Sequence, residues 1–284
     1  MINIAFVALG VVFAGLTIWH FTKKPRTDRD WSPPLAEVAV FEETAPYQYQ
    51  LKNVRAWEYG LEGALRKAWL SQEVNAEQLS EIWFFVEPFT GNPLFAHSFL
   101  SFVFEDEAGV RQTLSVSVEA RKEANEPYSA VKGAFRTYEL LYVWSTEKDI
   151  LTRIAVKLDH PLYAYKLDLD RDKAMIIFDH FVQRTNDLAT RPRFYNTLHS
   201  NCTNELAKAV NDAFPGALPW HRSWVATGRS AKWLHKLGFI GDEHTSFASI
   251  TAKADIQPFV KTHAGEDADD FDDLWRRSMA GGVR

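Results

Sequence analysis

The stretch Tyr195-Asn196-Thr197-Leu198-His199-Ser200-Asn201-Cys202-Thr203-Asn204-Glu205 holds the single cysteine of a 284-residue chain. Ser200, Asn201 and Thr203 are helix-capping types, and Glu205-Leu206-Ala207-Lys208-Ala209-Val210 is a good helical run. The pattern predicts a helix from about Thr203 to Phe214, stopped by Pro215-Gly216. Cys202 then sits where the helix begins, and the free amides and positive end of the macrodipole there favour thiolate over thiol. A small buried core thiol is the competing reading. The polar residues around Cys202 argue against an apolar pocket, and a partner base decides between the two.

A hairpin supplies a candidate base. Ala96 to Phe104 alternates as a strand, Glu105 to Gly109 is a turn, and Arg111 to Glu119 is the return strand. His97, Phe99 and Ser101 share one face of the first strand. Folding about the turn lays His97 near Val118, with Ser117 and Glu119 as its nearest polar neighbours. A strand histidine facing a carboxylate across the ladder has the form of a general base with its orienting group. A half-buried histidine satisfied by any neighbour is the alternative.

The remaining pattern is that of an α+β protein. Further strands are expected over Tyr47–Val54, Ser80–Val86, Tyr138–Trp144, Ile150–Leu158 and Leu162–Leu167, with Glu62–Trp69 a short helix or irregular. Asp168 to Leu188 reads as a long amphipathic helix capped by Asp168 or Asp170, and a last helix runs from Ser230 to Leu237. With 46% hydrophobic residues the chain can bury one sizeable core, and a net charge of -5 gives no reason to expect nucleic acid. One cysteine excludes an intramolecular disulfide framework and a cysteine-only zinc site. His199-x-x-Cys202 has metal-ligand spacing, but no acidic ligand motif accompanies it, so neither metal nor cofactor is expected.

The ends are read differently. Ile2 to Phe21 is almost wholly apolar, long enough to span a bilayer, and predicts an uncleaved N-terminal transmembrane helix. Lys23, Lys24 and Arg26 follow it, and by charge alone that flank would leave the domain in the cytoplasm. The expected organisation is an anchor over 1–22, a linker and entry segment over 23–45, a catalytic domain over 46–250 and a flexible acidic tail over 251–284.

The order of a histidine strand followed by a cysteine helix reverses that of papain and resembles the circularly permuted members of that superfamily. Asp28-Arg29-Asp30-Trp31, Asn53-Val54-Arg55, Ala96-His97-Ser98, Ser117-Val118-Glu119-Ala120-Arg121, Tyr138-Glu139-Leu140 and Tyr195-Asn196-Thr197-Leu198 with Asn201-Cys202-Thr203 are similar, in order, to the motifs of the Lnb N-terminal periplasmic domain family. The resemblance implies a permuted papain-like fold: an antiparallel sheet or barrel carrying His97, packed against helices, one of them bearing Cys202. It implies a periplasmic domain on the inner membrane, against the charge flank. It also places Glu119 and Arg121 in a shared S-x-E-x-R segment. The expected chemistry is acyl transfer or hydrolysis through a Cys202 thioester, with His97 as base and Glu119 or Ser117 orienting it. Arg121, Asn201 and Tyr195 are supporting candidates, Tyr195 as an oxyanion donor. The expected partners are the lipid bilayer and a lipoprotein or phospholipid substrate. A cell-wall peptidase or amidase and a non-catalytic tethered binding module are the alternatives.

Overall fold

The computed structural model describes residues 10, 11, 13–15, 18, 20, 22–242, 244–266 and 268–279. Its centre is an eight-stranded sheet. The strands are β1 (Val40–Ala45), β2 (Gln48–Arg55), β5 (Trp69–Asn75), β6 (Leu79–Pro88), β7 (Ala96–Glu105), β8 (Arg111–Arg121), β9 (Glu139–Ser145) and β10 (Tyr163–Lys166). A separate hairpin joins β3 (Glu58–Gly60) to β4 (Gly63–Arg66), where a short helix or irregular segment was expected. The sheet runs β1-β2-β9-β8-β7-β6-β10, with β5 added on β2. It is mixed rather than purely antiparallel, because β2 meets β9 in parallel at Arg55 and Ser145. The path is open from β1 to β10, so it does not take the form of a closed barrel.

Alternation along β7 divides the core into two layers. Leu100, Phe102 and Phe104 face the long helix α3 (Arg171–Thr190) and the cysteine helix α4 (Cys202–Ala213), packing with Phe178, Phe181 and Leu206. Asp170 caps α3 by accepting from the Lys173 N–H at 2.9 Å. Phe99 and Val103 point the other way, onto α2 (Glu147–Thr152), α7 (Gln257–His263) and α8 (Ala268–Met279). The small helix α1 (Ala130–Gly133), α5 (Ser230–Lys236) and α6 (Phe247–Ala254) complete the set.

Three expectations need correction. Ile150–Leu158 is not a strand: it completes α2 and continues as a π-helical segment over Arg153–Lys157. Thr146 caps α2 and starts the helix, while Ile150, Leu151, Ile154 and Ala155 form a buried helical stripe that a strand reading mistakes for an apolar run. The segment expected as a flexible tail instead holds α6, α7 and α8, with Val260, Phe271 and Trp275 fully buried. Its acidic composition hid the i, i+4 pair Phe271 and Trp275 and two polar anchors: Asp272 accepts from Thr113, and Arg276 pairs with the buried Glu147.

The third correction concerns the membrane. The expected transmembrane helix over residues 1–22 lies largely outside the described residues, and among those described no helix is long and apolar enough to cross a membrane. The fold class is therefore α+β with a mixed sheet.

Trp275 packs edge-on against Trp83 at 4.9 Å and donates its indole N–H to Glu147 at 3.0 Å. Trp275→Ala is expected to lower unfolding free energy by about 3–5 kcal/mol in urea titration of the full chain. A loss below about 0.5 kcal/mol would instead mean that α8 contributes nothing to the core.

Candidate active site

The cysteine helix is set by its cap. Asn201 is the N-cap of α4, and its side-chain oxygen accepts from the Asn204 N–H at 2.9 Å. The Asn201 amide N–H₂ donates to the Thr197 and Trp224 carbonyls, each at 2.9 Å. These bonds use Asn201 to position the helix start rather than to face a substrate. Glu205, fully buried in the first turn, ties the helix down through Arg184 at 2.6 Å and Ser200 at 2.6 Å. Burial works against its ionised form, but Lys208 and Arg184 outweigh this and hold its pKa down to about 2. Cys202 is therefore the first residue of a capped helix, free and nearly enclosed.

His97 reaches the same point from the second position of β7. Its Nε2 lies 2.7 Å from the Ser117 hydroxyl and 3.4 Å from the Glu119 carboxylate. Ser117 donates its own proton to Glu119 at 2.6 Å, so its oxygen is the acceptor for His97. The proton of neutral His97 accordingly belongs on Nε2, and Nδ1 is left for the thiol. Phe99 is paired with Ser117 in the ladder, and continuing that register brings His97 opposite Glu119 rather than Val118. The one-residue difference leaves Ser117 and Glu119 on the histidine's own face, because side chains alternate with period two.

Charge coupling follows from this geometry. Burial opposes protonation of His97, yet the Glu119 carboxylate and the Cys202 sulfur raise its pKa well above the ordinary value. Burial likewise opposes the thiolate, but His97 and a hydrogen bond from the Ser98 backbone N–H prevail and lower the Cys202 pKa. For Glu119, too, burial is outweighed by His97, with help from Arg153 and Ser117, and its carboxyl lies far below the usual range. The imidazolium form of His97 thus favours both the thiolate and the carboxylate.

Two supporting candidates separate here. Tyr195 lines the cleft beside Cys202, its hydroxyl 3.4 Å from that of Tyr128. Burial and the nearby sulfur raise its pKa, so it stays a neutral donor. Arg121 does not join the site. It donates to the Leu35 and Ala36 carbonyls and lies over the Trp31 ring at 4.2 Å, holding the entry segment. It shares the His97-facing side of β8 but extends beyond the end of the β7 ladder, which sequence spacing did not reveal.

Cys202, His97, Glu119 and Tyr195 open onto one cleft of about 810 Å³. Its lining includes six exposed apolar side chains: Phe89, Phe95, Val131, Phe135, Leu158 and Leu198. Residues absent from the sequence reading also appear there. Arg153 and a His160–Glu87 pair at 2.6 Å line the cleft, and Glu87 is the ladder partner of His97. Thr227 clamps the residue before His97, accepting from the Ala96 N–H at 3.0 Å and donating to the Ala96 carbonyl at 2.6 Å. Only glycine fits next to it, since a Cβ on Gly228 would fall 2.1 Å from the Pro93 carbonyl oxygen. His199 adds no third metal ligand: among the described residues no group of three or more His, Cys, Asp or Glu is arranged to hold a metal ion.

Fold and site together define an α+β domain with a cysteine, histidine and carboxylate gathered at one cleft. The family model described as the Lnb N-terminal periplasmic domain matches residues 66–227, more than half of the chain, and the protein belongs to that family. The matched interval contains His97, Ser117, Glu119, Tyr195 and Cys202. No curated protein and no solved structure matches the chain.

The coupling fixes the sign of a pH experiment. Alkylation of Cys202 by iodoacetamide is expected to follow an apparent pKa below the ordinary value of about 8.5. In His97→Ala the thiol loses its strongest lowering influence while burial and Glu119 still oppose the thiolate, so the midpoint should move above 9. Slow labelling with the same midpoint in both proteins would show that the pair is not coupled.

Proposed function

We propose that the chain is a cysteine-dependent acyltransferase or hydrolase that carries a lipid or lipoprotein acyl group as a thioester on Cys202. The observation that supports this most is His97, oriented by Ser117 and Glu119, held against a helix-N-terminal cysteine at the floor of an apolar-rimmed cleft. The Cys202 thiolate, its proton held by His97, attacks the ester or amide carbonyl, forming a C–S bond. First-turn amides of α4 and the Tyr195 hydroxyl are the donors that would receive the oxyanion. The intermediate collapses by breaking the acyl C–O or C–N bond, and His97 gives its proton to the departing oxygen or nitrogen.

In the second half an amine or water gives a proton to His97 and attacks the thioester, and the Cys202 thiolate leaves. Transferase and hydrolase differ only in that acceptor. The apolar rim favours a hydrocarbon chain over a polar cell-wall stem peptide, which is the competing substrate for the same dyad.

Intact-protein mass spectrometry after incubation with a medium-chain activated ester should show one acyl adduct, removed by hydroxylamine and absent from Cys202→Ala. Glu119→Gln should form it about 10²–10⁴ times more slowly, the range for losing acid–base assistance. Turnover of a peptidoglycan stem peptide with no acyl adduct from any lipid ester would favour the peptidase.

A further inference from the structure

Arg153 is a half-buried arginine that faces the cleft without a partner of its own. Among the other buried or half-buried arginines, Arg29, Arg55, Arg184, Arg193 and Arg276 pair with carboxylates, and Arg121 and Arg136 donate to carbonyls. The Arg153 side chain makes no hydrogen bond or ion pair with another described residue, although it lies near enough to Glu119 to favour its ionised form. A guanidinium partly removed from water and left without an acceptor is costly, and a bound anion relieves that cost. The residue opens the π-helical segment, an interruption of regular helix that redirects side chains and recurs at functional sites.

The same segment leads to His160. Its Nδ1 is held by the buried Glu87 at 2.6 Å, and the ring lines the cleft. Leu158, Phe89 and Phe95 share that cleft and present apolar surface. Cation and hydrocarbon surface therefore accompany one nucleophile.

We propose that Arg153 holds the phosphate of a glycerophospholipid that donates its acyl group to Cys202, a proposal that rests on the acyl-transfer reading above. In a glycerophospholipid the ester carbonyl and the phosphate are joined through the same short glycerol unit, so one cleft can engage both. A diacylglycerol, or the diacylglyceryl group of a lipoprotein, carries the same esters with no phosphate. Attack of the thiolate forms the acyl–sulfur bond and breaks the ester C–O bond. His97 protonates the departing glycerol oxygen, and a lysophospholipid leaves with its phosphate still on Arg153.

The test compares phosphatidylglycerol and diacylglycerol of identical acyl chains in neutral detergent micelles, using the full chain. Cys202 acylation is followed by mass, with wild type, Arg153→Gln and Arg153→Lys. Wild type should be acylated from the phospholipid about ten- to a hundredfold faster, the worth of a charge-assisted hydrogen bond. Arg153→Gln should slow the phospholipid reaction about ten- to a hundredfold more than the diacylglycerol reaction, and Arg153→Lys should restore part of the difference. A merely structural Arg153, acting through Glu119, would instead slow both substrates alike, and that result overturns the subsite. Equal wild-type rates on the two lipids overturn the subsite and leave the acyl-transfer reading standing. No acylation from either lipid, in a protein whose Cys202 still labels rapidly with iodoacetamide, overturns both.

Discussion

The contact between His97 and the Ser117–Glu119 pair governs what Cys202 can be. Without it, the imidazolium would lose the largest influence that offsets its burial, and the thiolate would lose the support of that charge. With it, the serine passes the pull of a buried carboxylate to one ring nitrogen and leaves the other for sulfur. The low polarity that penalises each charge singly also strengthens the attraction of the imidazolium for the thiolate and the carboxylate. Removing one member is correspondingly more damaging than any of the pairwise distances suggests.

The fold exists around that contact in a literal sense. His97 and Cys202 come from opposite layers of the sheet and meet at the beginning of β7, where the Ser98 backbone N–H donates to the sulfur. Each side is braced independently. Asn201 and Glu205 fix the helix that carries the cysteine, while Thr227, brought close by Gly228, fixes the strand residue before the histidine. The anchors come from segments far apart in sequence, so the site assembles only when the domain has folded. Family membership covers the interval from residue 66 to 227, which ends at that threonine.

Much of this could be read from local sequence rules. Cap chemistry located Cys202 at a helix start, and the hairpin's alternation put Ser117 and Glu119 on the face of His97 even though the register differs by one residue. Readings failed where composition or run length replaced periodicity. The apolar run Ile150–Leu158 looks like a strand until the Thr146 cap is weighed, and the acidic stretch before Trp275 hides an i, i+4 apolar pair. Arg121 was misplaced for another reason: motif proximity to Glu119 says nothing of where the β7 ladder ends. Arg153 was invisible because its place depends on a π-helical turn that no spacing rule anticipates.

The most direct test of the account is the protonation state of the His97 ring, read from imidazole nitrogen shifts by NMR across pH. In wild type both nitrogens should carry protons over the whole range in which Cys202 is a thiolate. In Cys202→Ala, once the ring is titrated to neutrality, the remaining proton should stay on Nε2, where Ser117 accepts it. A neutral ring at pH 7 in wild type, or a proton on Nδ1 in the variant, would contradict the proposed relay and with it the activated thiol.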